Sequence, residues 1–122
     1  MKNHGISALL AVMATLFSTV AVAEESLATV ERKALHGDYQ AQRNLAYGYA
    51  AWPYQGQSKD PVLACAWYLV VLNSGSPKVG PGDLGNVSVY CGKGKLDGEG
   101  LELAKIKGRA LYKAIYRAQP QF

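Results

Sequence analysis

The sequence predicts an all-α protein, and three observations carry that prediction. Apolar residues recur three and four positions apart in several segments, which is the period of an amphipathic helix. Asp38 and Asp60 each stand just before such a segment, where a carboxylate accepts free N–H groups of a first helical turn. Strand-like alternation is confined to Val87, Ser88, Val89 and Tyr90, too short a piece to build a sheet around.

The elements follow in order. Residues 25–35 place Leu27, Val30 and Ala34 on one side and Glu31, Arg32 and Lys33 on the other, a short helix that Gly37 breaks. Asp38 caps a second helix over residues 39–51, with Ala41, Leu45, Gly48 and Tyr49 on one face and small residues that let another helix come close. The stretch WPYQGQS after it is a loop, because Pro53 cannot continue a helix without losing a hydrogen bond. Asp60 and Pro61 then open a third helix through eleven consecutive apolar residues, Val62 to Leu72, which Gly75 closes. That run is too short for a bilayer, whose hydrocarbon core asks for about 20 residues of helix. Residues 75–100 hold eight glycines and two prolines. They read as irregular, with a short helix over 84–92 preferred to a short strand. A last amphipathic helix covers residues 99–118, with Leu101, Leu103, Ala104, Leu111, Ala114, Ile115 and Ala118 gathered on one side.

The first 23 residues have the layout of a secretory signal. Lys2 and His4 precede an apolar stretch, and Ala21-Val22-Ala23 offers a small-residue cleavage site. The expected product, residues 24–122, is one small α-helical domain in the periplasm or outside the cell, without stable membrane insertion. Lys2 is the leader's one Lys or Arg, so most of the formal charge of +4 stays with the domain. That modest excess, together with export, argues against nucleic acid as a partner. Cys65 and Cys91 are the two cysteines, and in an oxidising compartment they are expected to form a disulfide.

With the second and third helices placed, one pattern becomes legible. Ala34, Gly37, Asp38, Ala41, Gln42, Leu45, Ala46 and Tyr49 are followed by Lys59, Asp60, Ala64, Trp67, Tyr68 and Gly75. This resembles one Sel-one-like repeat, a helix-turn-helix relative of the tetratricopeptide repeat, over about residues 34–76. The loop at 50–58 is about two residues longer than the family's usual one, and no second full repeat follows. The segment LDGEGLELAKIKGRALYKAI resembles the helix that closes such arrays. The resemblance implies helical hairpins that bind other proteins and carry no chemistry. Exported chains similar to this one include immunity factors that neutralise toxins delivered into the bacterial envelope. A structural or assembly factor of the envelope is the alternative, and a hydrolase comes third. One hairpin cannot bury both its faces, so flanking helices must cover the rest. On the third helix, Ala64, Trp67, Tyr68 and Val71 suit the second helix. Cys65, Leu69 and Leu72 face the following segment, so the disulfide would tie the repeat to its cap.

Chemical motifs are sparse. Gly80, Gly82 and Gly85 spell the spacing of a dinucleotide loop, but no parallel-sheet unit surrounds them. Asn86-Val87-Ser88 fits a glycosylation acceptor at chance level. His36 is the single histidine after the leader, and with both thiols committed no metal site or nucleophile–base set can be assembled. No cofactor and no enzymatic activity are expected. The candidate contacts are Tyr47, Trp52 and Tyr54, aromatics able to anchor an interface, and the stripe Lys105, Arg109, Lys113 and Arg117 on the last helix. Such aromatics more often pack back onto their own domain, and such a stripe is more often solvated surface. Its functional reading is contact with an acidic protein or anionic lipid.

Overall fold

Capping chemistry sets where the helices start, and the computed structural model, which describes residues 13–16 and 25–122, follows it closely. Helix α1 spans Leu27–Leu35, α2 Tyr39–Ala50, α3 Pro61–Leu72, α4 Pro81–Tyr90 and α5 Gly98–Tyr116. No strand occurs among the described residues, so the protein is all-α. Most of the expected leader, 1–23, lies outside the described residues.

Ser26, Asp38, Asp60 and Asp97 each accept a backbone N–H from the first turn of α1, α2, α3 and α5. Gly37 and Gly75, at φ +88° and +75°, supply the left-handed turns that follow α1 and α3. The ends differ from the sequence expectation by one to three residues. Helix α4 starts at Pro81 and not at 84, because Asp83 reaches back to accept the Gly80 N–H at 3.0 Å and Pro occupies the first turn. Helix α5 stops at Tyr116, where Arg117 turns left-handed at φ 54°.

Helix α3 is the hub. Eight of its residues, from Ala64 to Val71, are buried in sequence without a break, because α2, α4 and α5 all pack on it. The two-neighbour expectation is therefore one neighbour short. Trp67, Tyr68 and Val70 join Val30, Ala34, Leu45 and Ala46 in one core cluster. Cys65 and Leu69 form a second with Leu96 and Ala104, flanked by Val87, Cys91 and Leu101. The Sγ atoms of Cys65 and Cys91 lie 2.06 Å apart, at disulfide distance, tying α3 to the end of α4. Such a pair is compatible with an oxidising compartment.

Small residues decide how α5 approaches. Gly108 lies against the Ala66 carbonyl, where an added Cβ would sit 3.3 Å from the oxygen and 3.1 Å from the Phe122 ring. The chain after α5 folds back so that Phe122 packs on the Cys65–Ala104 cluster and meets Tyr112 edge-on at 6.1 Å. Of the apolar side expected for α5, Ala104 is fully buried and Leu101, Leu111 and Ile115 are partly so. Leu103, Ala114 and Ala118 are exposed, so that part of the expected face is corrected: the buried arc is centred on Ala104 and Gly108 and is narrower than the apolar arc.

One buried amide and one buried carboxylate join these helices. Gln42, fully buried, donates from Nε2 to the Ala34 carbonyl at 3.1 Å and to the Tyr116 hydroxyl at 3.0 Å, linking α1, α2 and α5. Asp83, 2% exposed, accepts from the Tyr39 hydroxyl at 2.6 Å and lies 3.0 Å from Arg43 Nε, joining α4 to α2.

Candidate interaction face

The outward face of α2 presents Gln40, Arg43, Asn44 and Tyr47, spaced three and four residues apart so that they align along one side. Its inward face, with Ala41, Leu45 and Gly48 buried, holds the helix against the core. Tyr47 is therefore 48% exposed as a consequence of register, and the loop after α2 extends the same surface.

That loop is held from beneath. Gln57, buried, accepts the Tyr54 N–H at 3.0 Å through Oε1 and donates from Nε2 to the Leu45 carbonyl at 3.2 Å. Its amide lies directly against Gly48, where any side chain would collide with it. The Trp52 N–H donates to the Tyr47 carbonyl at 3.2 Å and the Asp60 N–H to the Tyr49 carbonyl at 2.9 Å. Trp52 is thus 76% exposed on a loop whose backbone is pinned at both ends.

The structure brings the three aromatic candidates together. Tyr47, Trp52 and Tyr54 line one cleft of about 240 Å³ with Asn44, Pro53 and Gln55. A neighbouring cleft of about 250 Å³ shares Asn44 and Tyr47 and runs past Arg43 to Tyr68, Asn86 and Tyr90. The pair forms a groove of aromatic rings and side-chain amides along α2. No protein-family model, no curated protein and no solved structure matches the chain.

The basic candidates go elsewhere and line neither cleft. Lys105 and Arg109 are half-buried on α5, Lys105 pairing with Glu102 at 3.4 Å, while Lys113 is exposed and Arg117 lies past the helix end. Among the described residues, no group of three or more His, Cys, Asp or Glu is arranged to hold a metal. No helix among them is long and apolar enough to cross a membrane. Arg43, Asn44 and Asn86 were not among the sequence candidates. The signal for Arg43 and Asn44 was the polar spacing on the outer side of α2, which is indistinguishable from solvated surface until the loop and α4, with Asn86, are placed beside it.

Burial raises the Tyr39, Tyr49 and Tyr68 hydroxyls above the ordinary phenol value, and Tyr68, stacked on Tyr90 at 4.9 Å, is pushed to about 12. A raised phenol favours the neutral folded form. Its stabilisation is complete below the unfolded value of 10.0 and is lost as pH rises from there to about 12. An ultraviolet phenolate titration is expected to show one tyrosine ionising last, and Tyr68→Phe to remove that step. An unchanged titration of the variant would contradict the assignment.

Proposed function

We propose that this is an exported helical-repeat protein that works by binding another protein through the α2 groove. The observation that carries the proposal is the convergence of Tyr47, Trp52 and Tyr54 on one cleft, with Trp52 held outward by a loop fastened to buried Gln57. An indole kept in water by a rigid backbone loses little further freedom when a partner covers it, and large aromatics in such places carry much of an interface's energy. The resemblance to a Sel-one-like repeat points to the same class. Within that class, neutralisation of a toxin delivered to the envelope is the role we favour. The Tyr39 and Arg43 contacts with Asp83 support the reading physically, since they fix the α2 face before a partner arrives.

The test is affinity purification from native envelope extract with the wild-type chain and with Trp52→Ala and Tyr47→Ala. A partner in stoichiometric amount is expected, and each variant should weaken it by about 2 kcal/mol, roughly thirtyfold. Because Trp52 is mostly exposed, the melting temperature of its variant should not change. A partner retained equally by both variants would place the interface elsewhere, and recovery of no stoichiometric partner would remove the binding reading. For the toxin role, the partner should be harmful to envelope-bounded cells when this protein is deleted.

A further inference from the structure

Helix α5 has a second apolar stripe that no described residue covers. Leu103 is 44% and Ile106 60% exposed, and Ala110 and Ala114 continue the line at helical spacing. A helix that closes a repeat array needs a polar outer face, and this one lacks it over about 16 Å of its length. The stripe borders an open, mainly apolar groove of about 470 Å³ between α5 and α1, walled by Leu35, Leu63, Trp67 and Leu111 and lined also by Glu31 and Lys107. An apolar surface of this kind marks an interaction site.

The charges at the ends of the stripe say what covers it. At its N-terminal end stand Glu99 and Glu102, and at its C-terminal end Lys113 and Arg117, all four exposed. No acidic residue occurs from Ile106 to the end of the chain. The stripe is therefore acidic at its N-terminal end and basic at its C-terminal end, with exposed Lys107 on the flank that borders the α1 groove. We infer that this face pairs with a second copy of itself, α5 against α5, antiparallel about a two-fold axis between Ile106 and Ala110. In that arrangement Ile106 meets Ala110 of the second copy and Leu103 meets Ala114 of the second copy, each large side chain opposite a small one. Glu99 and Glu102 come against Arg117 and Lys113 of the second copy. In antiparallel helix pairs, residues on the same flank face each other, so these charges lie on the correct sides. A parallel pair would set carboxylate against carboxylate and cation against cation, which disfavours it. The contact is isologous: the same surface serves both copies and the assembly closes as a dimer. The Glu102–Lys105 contact does not compete strongly, being an exposed pair of 3.4 Å three residues apart. Two copies joined in this way leave both α2 grooves open, since Leu45 and Tyr49 separate α5's groove from the Tyr47 side of α2.

The experiment is sedimentation equilibrium of the purified chain, which needs no other protein and so is independent of the groove-binding reading. The wild type is expected to dimerise, with an association that weakens in salt. Ile106→Asp should shift it to monomer with an unchanged helical circular dichroism spectrum, the residue being exposed. Glu102→Lys and Lys113→Glu should each weaken association by about tenfold, and the two together should restore it, because the double reversal rebuilds both pairs across the axis. A monomer at about a hundred times the concentration of ordinary micromolar assays, a dimer indifferent to Ile106→Asp, or a double reversal no better than its parents would each overturn the inference.

Discussion

Asp83→Ala is expected to destabilise the protein by about 3 kcal/mol, the loss found when one partner of a buried ion pair is removed. Two groups lose a hydrogen-bond acceptor and a third its ion-pair partner. The Tyr39 hydroxyl bond of 2.6 Å and the Gly80 N–H bond of 3.0 Å disappear, and Arg43 Nε, itself buried, loses the carboxylate it pairs with at 3.0 Å. Arg43 is partly exposed, so water recovers some of the loss and the figure sits at the low end of the range. Asp83→Asn should cost less, since an amide oxygen still accepts from Tyr39 or Gly80 but carries no charge for Arg43. Urea denaturation of the three proteins checks this. A midpoint for the alanine variant equal to wild type would show that the cluster contributes nothing net. The same variant should loosen the outward face of α2, because Tyr39 and Arg43 are anchored through Asp83.

Removing the Cys65–Cys91 pair as Cys65→Ala with Cys91→Ala is expected to cost about 3.5 kcal/mol on the chain-entropy estimate for a loop of this length. The separation of 26 residues is what enters that estimate. For a domain of this size the loss corresponds to a fall in melting temperature of about 15 °C. The effect should concentrate on α4. Its residues Gly82, Gly85, Asn86, Val87 and Val89 are poor helix formers, so beyond the Asp83 cap it depends on its contacts with α2 and α3. Hydrogen exchange should therefore show α4 amides losing protection before those of α2 and α3. Equal loss across all helices would mean the pair stabilises the domain as a whole and does not hold α4 in particular.

Where the reading came from the backbone's local needs, it was legible. Asp38 and Asp60 marked helix starts because a carboxylate there satisfies N–H groups that no other residue reaches, and Gly37 and Gly75 marked the turns because φ is positive at both. The division of α3 between Trp67 and Tyr68 on one side and Cys65 and Leu69 on another followed from helical geometry and appears in the two core clusters. The aromatic candidates were legible as residue types, and their meeting was not.

The sequence by itself determined the helices, the caps at Asp38 and Asp60 and the bridgeable cysteines, because capping, period and turn chemistry act between residues close along the chain. Tertiary structure alone decided three things. Asp83 left a glycine-rich loop pattern and became a buried partner of Arg43, since burial depends on what packs above it. The α4 segment, already read as a short helix, was placed against α3 by Tyr90 stacking on Tyr68 and Cys91 meeting Cys65. The apolar arc of α5 was split into a packed half and an open half by the close approach at Gly108, which turns Ala104 inward and leaves Leu103 and Ile106 outside. A helical wheel measures the width of an arc. Only the distance and angle of the neighbouring helix fix how much of it is covered.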